Sequence, residues 1–223
     1  MLGGRTGSGR PVVTLTIIGL CVASYVLQRV TQSEWTQQWA FSAATGGIEP
    51  WRFLTTAFLH STGSFFHILF NMWALWVTGQ FLEPLLGRAR FIVLCALSAV
   101  GGSVAWLLFA GTPMDQTWYQ GVVGASGMVF GLFGAMVPVL RRFGAAATQV
   151  VGLIAINGVI GFVVPGIAWE AHLGGLIVGL ALGAGFARAP REHQRLVAWA
   201  LPVAVAALLA AVVVWRYTSL GWW

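Results

Sequence analysis

The stretch "GVVGASGMVFGLFGAM", residues 121–136, sets one hydroxyl, Ser126, among glycines and apolar side chains. A polar side chain at membrane depth is costly and marks either a satisfied packing contact or a function. Three others stand in comparable surroundings. "FHILFNMW" carries His67 and Asn71, four residues apart and so on one face of a helix. "AHLGGLIVGLALG" carries His172 near the start of its segment. Taken singly, each has a plain structural reading: serine as a small packing residue, histidine and asparagine as interhelical hydrogen-bond partners. Taken together they are a nucleophile, a base and two hydrogen-bond donors, the kit for acyl transfer. Serine needs a neighbouring base to take its proton, and a histidine titrates near neutrality. The tetrahedral intermediate needs donors aimed at its oxyanion, which His67, Asn71 and the backbone N–H of Ser126 at a helix start can supply.

No acid completes a triad. Asp115 falls in a loop, Glu83 at the far end of its helix, and Glu170 two residues from His172 on a different face. The expectation is therefore a Ser126–His172 dyad. There is no HExxH zinc motif and no Asp in any apolar span, which argues against metalloprotease and two-aspartate chemistry. No metal or cofactor is expected.

The elements that must hold these residues follow from composition. The 223 residues are 58% hydrophobic and 8% charged, which points to a polytopic membrane protein. Spanning helices need roughly 20 apolar residues, and seven candidates qualify: about 11–30, 66–83, 91–110, 122–140, 145–164, 168–187 and 197–215. The alternation of a β-barrel is missing, so the expected class is an all-α membrane bundle. All 12 basic residues are Arg, and nine of them (5, 10, 88, 90, 141, 142, 188, 191 and 195) share one side if the N-terminus is cytoplasmic. The positive-inside rule then gives N-in and C-out. The net charge of +6 is read as a topology signal, and with no clustered basic face no nucleic-acid partner is expected. Trp35, Trp39, Trp51, Trp118, Trp169, Trp215, Trp222 and Trp223 read as an outer interfacial belt, and Cys21 and Cys95 as buried free thiols.

Gly175, Gly179 and Gly183 follow His172 at offsets that share its helix face, and Gly124, Gly127, Gly131 and Gly134 form a second stripe beside Ser126. Spans four and six are expected to pack closely along these glycines. Residues 1–10 read as a short cytoplasmic N-terminus without a cleaved signal, 11–187 as a six-helix core with a half-embedded loop over about 31–65, and 188–223 as a charged connector with a seventh helix, read as an appendage to the core.

These residues resemble the rhomboid intramembrane serine proteases: "GASG" with Ser126, "AHLGGLIVG" with His172, "HILFN" with His67 and Asn71, and "EPWRFLTTAFLH" in the first loop. The similarity covers roughly residues 11 to 187, and the last helix resembles a six-plus-one arrangement. It implies a Ser126–His172 dyad in a water-filled cavity open to the outer side, with His67 and Asn71 at the oxyanion hole. It further implies that Trp51 and Arg52 fold the first loop, that His60 is a buried structural residue there, and that Phe130 stacks on His172 where the family often has Tyr. Ile167, beside Gly166, stands where the family often has Gly. Phe162 to Trp169, with span five, would be a gate and cap. Implied partners are single-pass or polytopic transmembrane protein substrates in a lipid bilayer, cleaved after a small residue near their outer end. The rival reading is a non-catalytic relative that binds membrane helices for quality control or trafficking; a small transporter fits poorly because the polar set sits toward one end. The short N-terminus carries no organelle-targeting pattern, so a bacterial plasma membrane is expected.

Overall fold

Pro11 and the apolar run after it open α1, Val12–Val30. Its first turn is fixed by Glu83, whose carboxylate accepts from the Val13 and Thr14 amides at 3.0 and 2.9 Å and from Thr14 Oγ1 at 2.7 Å. A carboxylate at a helix N-terminus satisfies amides that lack intrahelical acceptors and complements the helix dipole. The computed structural model describes residues 10–31 and 33–223, so nearly all of the expected cytoplasmic N-terminus lies outside the described residues.

The first loop folds as short helices, α2 (Glu34–Trp39), α3 (Ala43–Gly46) and α4 (Arg52–Thr55), and a 3₁₀ turn over Thr56–Phe58. Then come α5 (Phe65–Leu86) and α6 (Arg88–Phe109), joined by Gly87, whose φ of +82° suits glycine at a helix end. A short α7 (Gln116–Tyr119) precedes α8 (Ser126–Arg142), α9 (Thr148–Val163), α10 (Trp169–Arg188) and α11 (Gln194–Ser219). Each of the seven expected apolar segments contains one long helix. Five helices among the described residues are long and apolar enough to cross a membrane, while α8 and α9 have 17 and 16 residues. The protein is an integral, multi-pass, all-α membrane protein; its one extended pairing among the described residues is an isolated antiparallel bridge between Phe41 and Val122.

The expected glycine seam is present. A methyl on Gly175 would overlap the Gly127 carbonyl oxygen, and one on Gly179 the Gly131 carbonyl oxygen. On α8, a methyl at Gly134 would come within 2.6 Å of the Leu176 carbonyl oxygen. Backbones approach this closely only where Cβ atoms are missing, so α8 and α10 form the tight centre of the bundle, with α6 against both.

Three expectations change. Gly124 is not part of the helical stripe: α8 starts at Ser126, four residues later than expected. Val122 instead pairs with Phe41, and Gly124 has φ +139°, a backbone conformation that ends the extended segment. Trp118 is no interfacial belt residue. It is fully buried and packs edge-on to Tyr217 and Trp222 at ring distances of 5.9 and 5.4 Å. Finally, the last helix is no loose appendage. It packs on α6, Tyr217 donates to Ala43 O at 2.7 Å, and Trp223 Nε1 donates to Gly47 O at 2.8 Å. Its C-terminal end is thus bound to the first loop. Cys21 and Cys95 are free and buried, as expected.

Candidate active site

Ser126 is the first residue of α8. The first hydrogen bond of the turn runs from the Val129 N–H to Ala125 O at 2.9 Å. That leaves the amides of Ser126, Gly127 and Met128 facing out of the helix start. The segment leading into Ser126 is held from the first loop. The Val122 N–H donates to Phe41 O at 2.7 Å, the Gly124 N–H donates to Thr56 O at 3.1 Å, and Thr56 Oγ1 donates to Val122 O. Thr56 was not singled out from sequence, because threonine in a polar loop carries no distinguishing signal until its partners are known.

His172 lies in the first turn of α10. Its ring stacks on Phe130 with centroids 4.2 Å apart and an interplanar angle of 9°. Phe130 is four residues along α8 from Ser126, and helical side chains lean toward the N-terminus. The stack therefore sets the imidazole against the turn that Ser126 begins. His172 Nδ1 is buried with no hydrogen-bond partner, and no acid orients the ring. Ser126 Oγ and His172 share this end of the α8–α10 seam without a direct hydrogen bond.

His67 and Asn71 occupy the first two turns of α5 on one face, as their spacing predicts. Asn71 Nδ2 donates to His67 O at 2.8 Å, and the Ser61 N–H donates to His67 Nδ1 at 3.0 Å. Because Nδ1 accepts, a neutral His67 carries its proton on Nε2. A side chain on Gly124 would put its first carbon 2.9 Å from His67 Nε2 and 3.6 Å from Ser126 Oγ. The glycine thus keeps clear the space beside both groups. A cavity of about 20 Å³ lies among Thr56, Gly102, Gly124, Ser126 and Ala171, room for a single water.

Of the supporting residues, Gly127, Gly175 and Gly179 form the seam. Arg52 is buried in the first loop, its Nε 2.5 Å from Glu49 Oε2 and its Nη1 donating to Gln37 O and Ala40 O at 2.5 and 2.8 Å. Trp51 is half exposed beside it. His60 is fully buried with neither ring nitrogen hydrogen-bonded, its ring 5.3 Å from that of His67. Burial, and then the neighbouring His67, lower its pKa to about 3. Gly161 of α9 sits close enough that a methyl there would lie 3.4 Å from His172 Nδ1. Beyond it, Phe162 packs on Trp169 at 4.9 Å.

A Rhomboid domain matches residues 47–189, and the chain belongs to the rhomboid family. It is 31% identical over 215 residues to rhomboid protease GluP of Bacillus subtilis (strain 168), covering 89% of this chain and 40% of that protein. It is 32% identical over 181 residues to rhomboid protease GlpG of Yersinia pestis (strain Pestoides F), covering 76% of this chain and 61% of that protein. The chain thus spans two fifths to three fifths of the length of these relatives.

Proposed function

We propose that this protein is an intramembrane serine endopeptidase working through a Ser126–His172 dyad. The observation that carries this is the stack of His172 on Phe130, one turn from a serine at a helix start, on a seam where methyl groups would not fit. Two relatives named rhomboid proteases support the reaction class.

In the first step Ser126 Oγ attacks the scissile carbonyl carbon while His172 accepts the hydroxyl proton. Negative charge develops on the carbonyl oxygen. His67 Nε2–H, the Asn71 amide and the Ser126 N–H are the donors for it, the first two being aligned by hydrogen bonds already made. His172 then passes the proton to the leaving amine. A water, activated by the same imidazole, hydrolyses the acyl-serine. With no acid on Nδ1, stacking on Phe130 orients the ring.

The substrate is another transmembrane protein. A helix hides its carbonyls in hydrogen bonds, so the scissile segment has to unwind before it can be attacked. Small or helix-breaking residues near its outer end lower that cost. The arginine distribution supports an N-in, C-out orientation in a bacterial plasma membrane, with the site toward the outer side. Residues 11–187 serve as the catalytic core.

The test is cleavage of a model single-span substrate by purified wild type, Ser126→Ala and His172→Ala. Both variants lose nearly all activity while unfolding at the wild-type temperature. Cleavage by Ser126→Ala at the wild-type rate overturns the assignment and favours a non-catalytic helix-binding protein. Asn71→Ala lowers kcat about 10²-fold with little change in KM.

A further inference from the structure

Gln28 lies near the outer end of α1 and is 1% exposed, a buried amide in an otherwise apolar span. It makes no hydrogen bond to Ser126 or His172; of its three bonds to the first loop, two go to the backbone of one residue, His60. Gln28 Oε1 accepts from the His60 N–H at 2.9 Å. Gln28 Nε2 donates to His60 O at 3.0 Å and to Thr36 Oγ1 at 2.9 Å.

The second of these bonds reaches the candidate site through covalent geometry. The carbonyl of His60 and the N–H of Ser61 belong to one planar peptide unit. Gln28 holds that unit by its oxygen, and the same unit's N–H donates to His67 Nδ1 at 3.0 Å. Turning the plane to break one bond breaks the other. The Ser61 donor in turn dictates that His67 keeps its proton on Nε2, the nitrogen beside Gly124 and Ser126. Were the plane free to rotate, His67 could take a proton on Nδ1 and present a lone pair where a donor is needed. The His60 ring cannot replace the clamp, because neither of its nitrogens makes a hydrogen bond. Arg29, next along α1, adds a bond from Nη1 to Thr62 O at 3.0 Å, which steadies the same turn from the solvent side.

We infer that Gln28 is a positioning residue: through the His60–Ser61 peptide unit it fixes the tautomer and aim of His67. The inference rests on His67 acting as an oxyanion donor, and it adds a residue on another helix that makes that donor competent.

The experiment is a double-mutant cycle on kcat, using the full chain in detergent with a model single-span substrate. Gln28→Met removes all three bonds, the two to His60 and the one to Thr36, at nearly constant volume. It is combined with His67→Ala, with folding checked by thermal unfolding. Because a misplacement of about 1 Å at a reacting centre costs on the order of 10²-fold, Gln28→Met alone lowers kcat roughly 10- to 100-fold with KM little changed. In the His67→Ala background the same change lowers kcat less than about twofold, since the group it acts through is gone. Equal fold-losses in both backgrounds, or a wild-type kcat for Gln28→Met, overturn the inference. Should Gln28→Met not fold, Gln28→Glu takes its place: it keeps the acceptor for the His60 N–H, loses the donor to His60 O, and is judged by the same two comparisons. Labelling of Ser126 by a fluorophosphonate separates the two levels. If Ser126 is not labelled in wild type and His67→Ala cleaves normally, the proposed function itself fails, whereas normal labelling with an additive cycle removes the role of Gln28 alone.

Discussion

A single methyl group at Gly175 tests the whole arrangement. Gly175 lies three residues beyond His172, and its Cα faces the Gly127 carbonyl, next to Ser126. A methyl there would sit 2.6 Å from the Gly127 carbonyl carbon and 3.0 Å from its Cα, besides overlapping the oxygen. Ordinary carbon contacts are about 3.5–4.0 Å, so α8 and α10 must part by about 1 Å at the level of the proposed dyad. Forced overpacking of this kind costs about 1–3 kcal/mol of stability. A 1 Å displacement of the imidazole from the hydroxyl costs on the order of 10²-fold in kcat, or about 2.7 kcal/mol of barrier. The assay is kcat for cleavage of a single-span substrate in proteoliposomes, together with the unfolding temperature. Gly19→Ala on α1 is the control, since nothing lies within 4 Å of a methyl there; it leaves activity intact and adds up to about 1 kcal/mol of helix stability. Gly179→Ala forces a similar separation one turn deeper, with a comparable loss of stability and a smaller loss of kcat. Wild-type kcat and stability for Gly175→Ala would refute the contact geometry and the dependence of catalysis on it.

Phe130→Ala, which removes the stack on His172, lowers kcat roughly three- to tenfold at constant KM, in line with about 0.5–1.5 kcal/mol for a stacked pair, whereas Phe130→Tyr stays near wild type; steady-state kinetics decide. His60 is kept neutral by burial, with a pKa of about 3 against 6.5 when unfolded. Its stabilising contribution is therefore complete above about pH 6.5, declines as pH falls, and levels off near pH 3. At pH 5 the loss is about 2 kcal/mol, and His60→Phe flattens this part of the stability–pH curve measured by thermal unfolding. Arg52→Lys cannot reproduce the fork to Glu49, Gln37 and Ala40 and costs roughly 1–3 kcal/mol, read from the unfolding temperature.

The positions legible in the sequence were those whose residue types are rare in lipid or whose spacing is periodic. The offsets of Gly175 and Gly179 from His172 gave the seam, and a lone serine before an apolar helix gave the nucleophile candidate. Four features were not legible, each for a physical reason. Gly124 matched a helical interval numerically but belongs to an extended segment, because Thr56, far away in the chain, accepts from the Gly124 N–H, and Phe41 and Thr56 satisfy the backbone of Val122. Trp118 resembled an interfacial residue because burial by Tyr217 and Trp222 depends on a helix about 100 residues later. Glu83 read as an end-of-helix charge, although it caps the N-terminus of α1. Gln28 did carry a signal, a buried-type amide inside an apolar run, but its meaning depends on a peptide plane whose position only tertiary structure supplies.

The long last helix has a mechanical consequence. At 26 residues it is about 39 Å long, more than a hydrocarbon core of about 30 Å, and such a helix leans to keep its ends in the headgroups. Its C-terminal end is tied through Tyr217 to Ala43 of α3 and through Trp223 to Gly47 just after it, and Phe41, two residues before α3, pairs with Val122. Any change in lean is therefore delivered, as through a lever, to the strand-like lead into Ser126. Membrane thickness becomes an input to the geometry around the hydroxyl, separate from anything a substrate does.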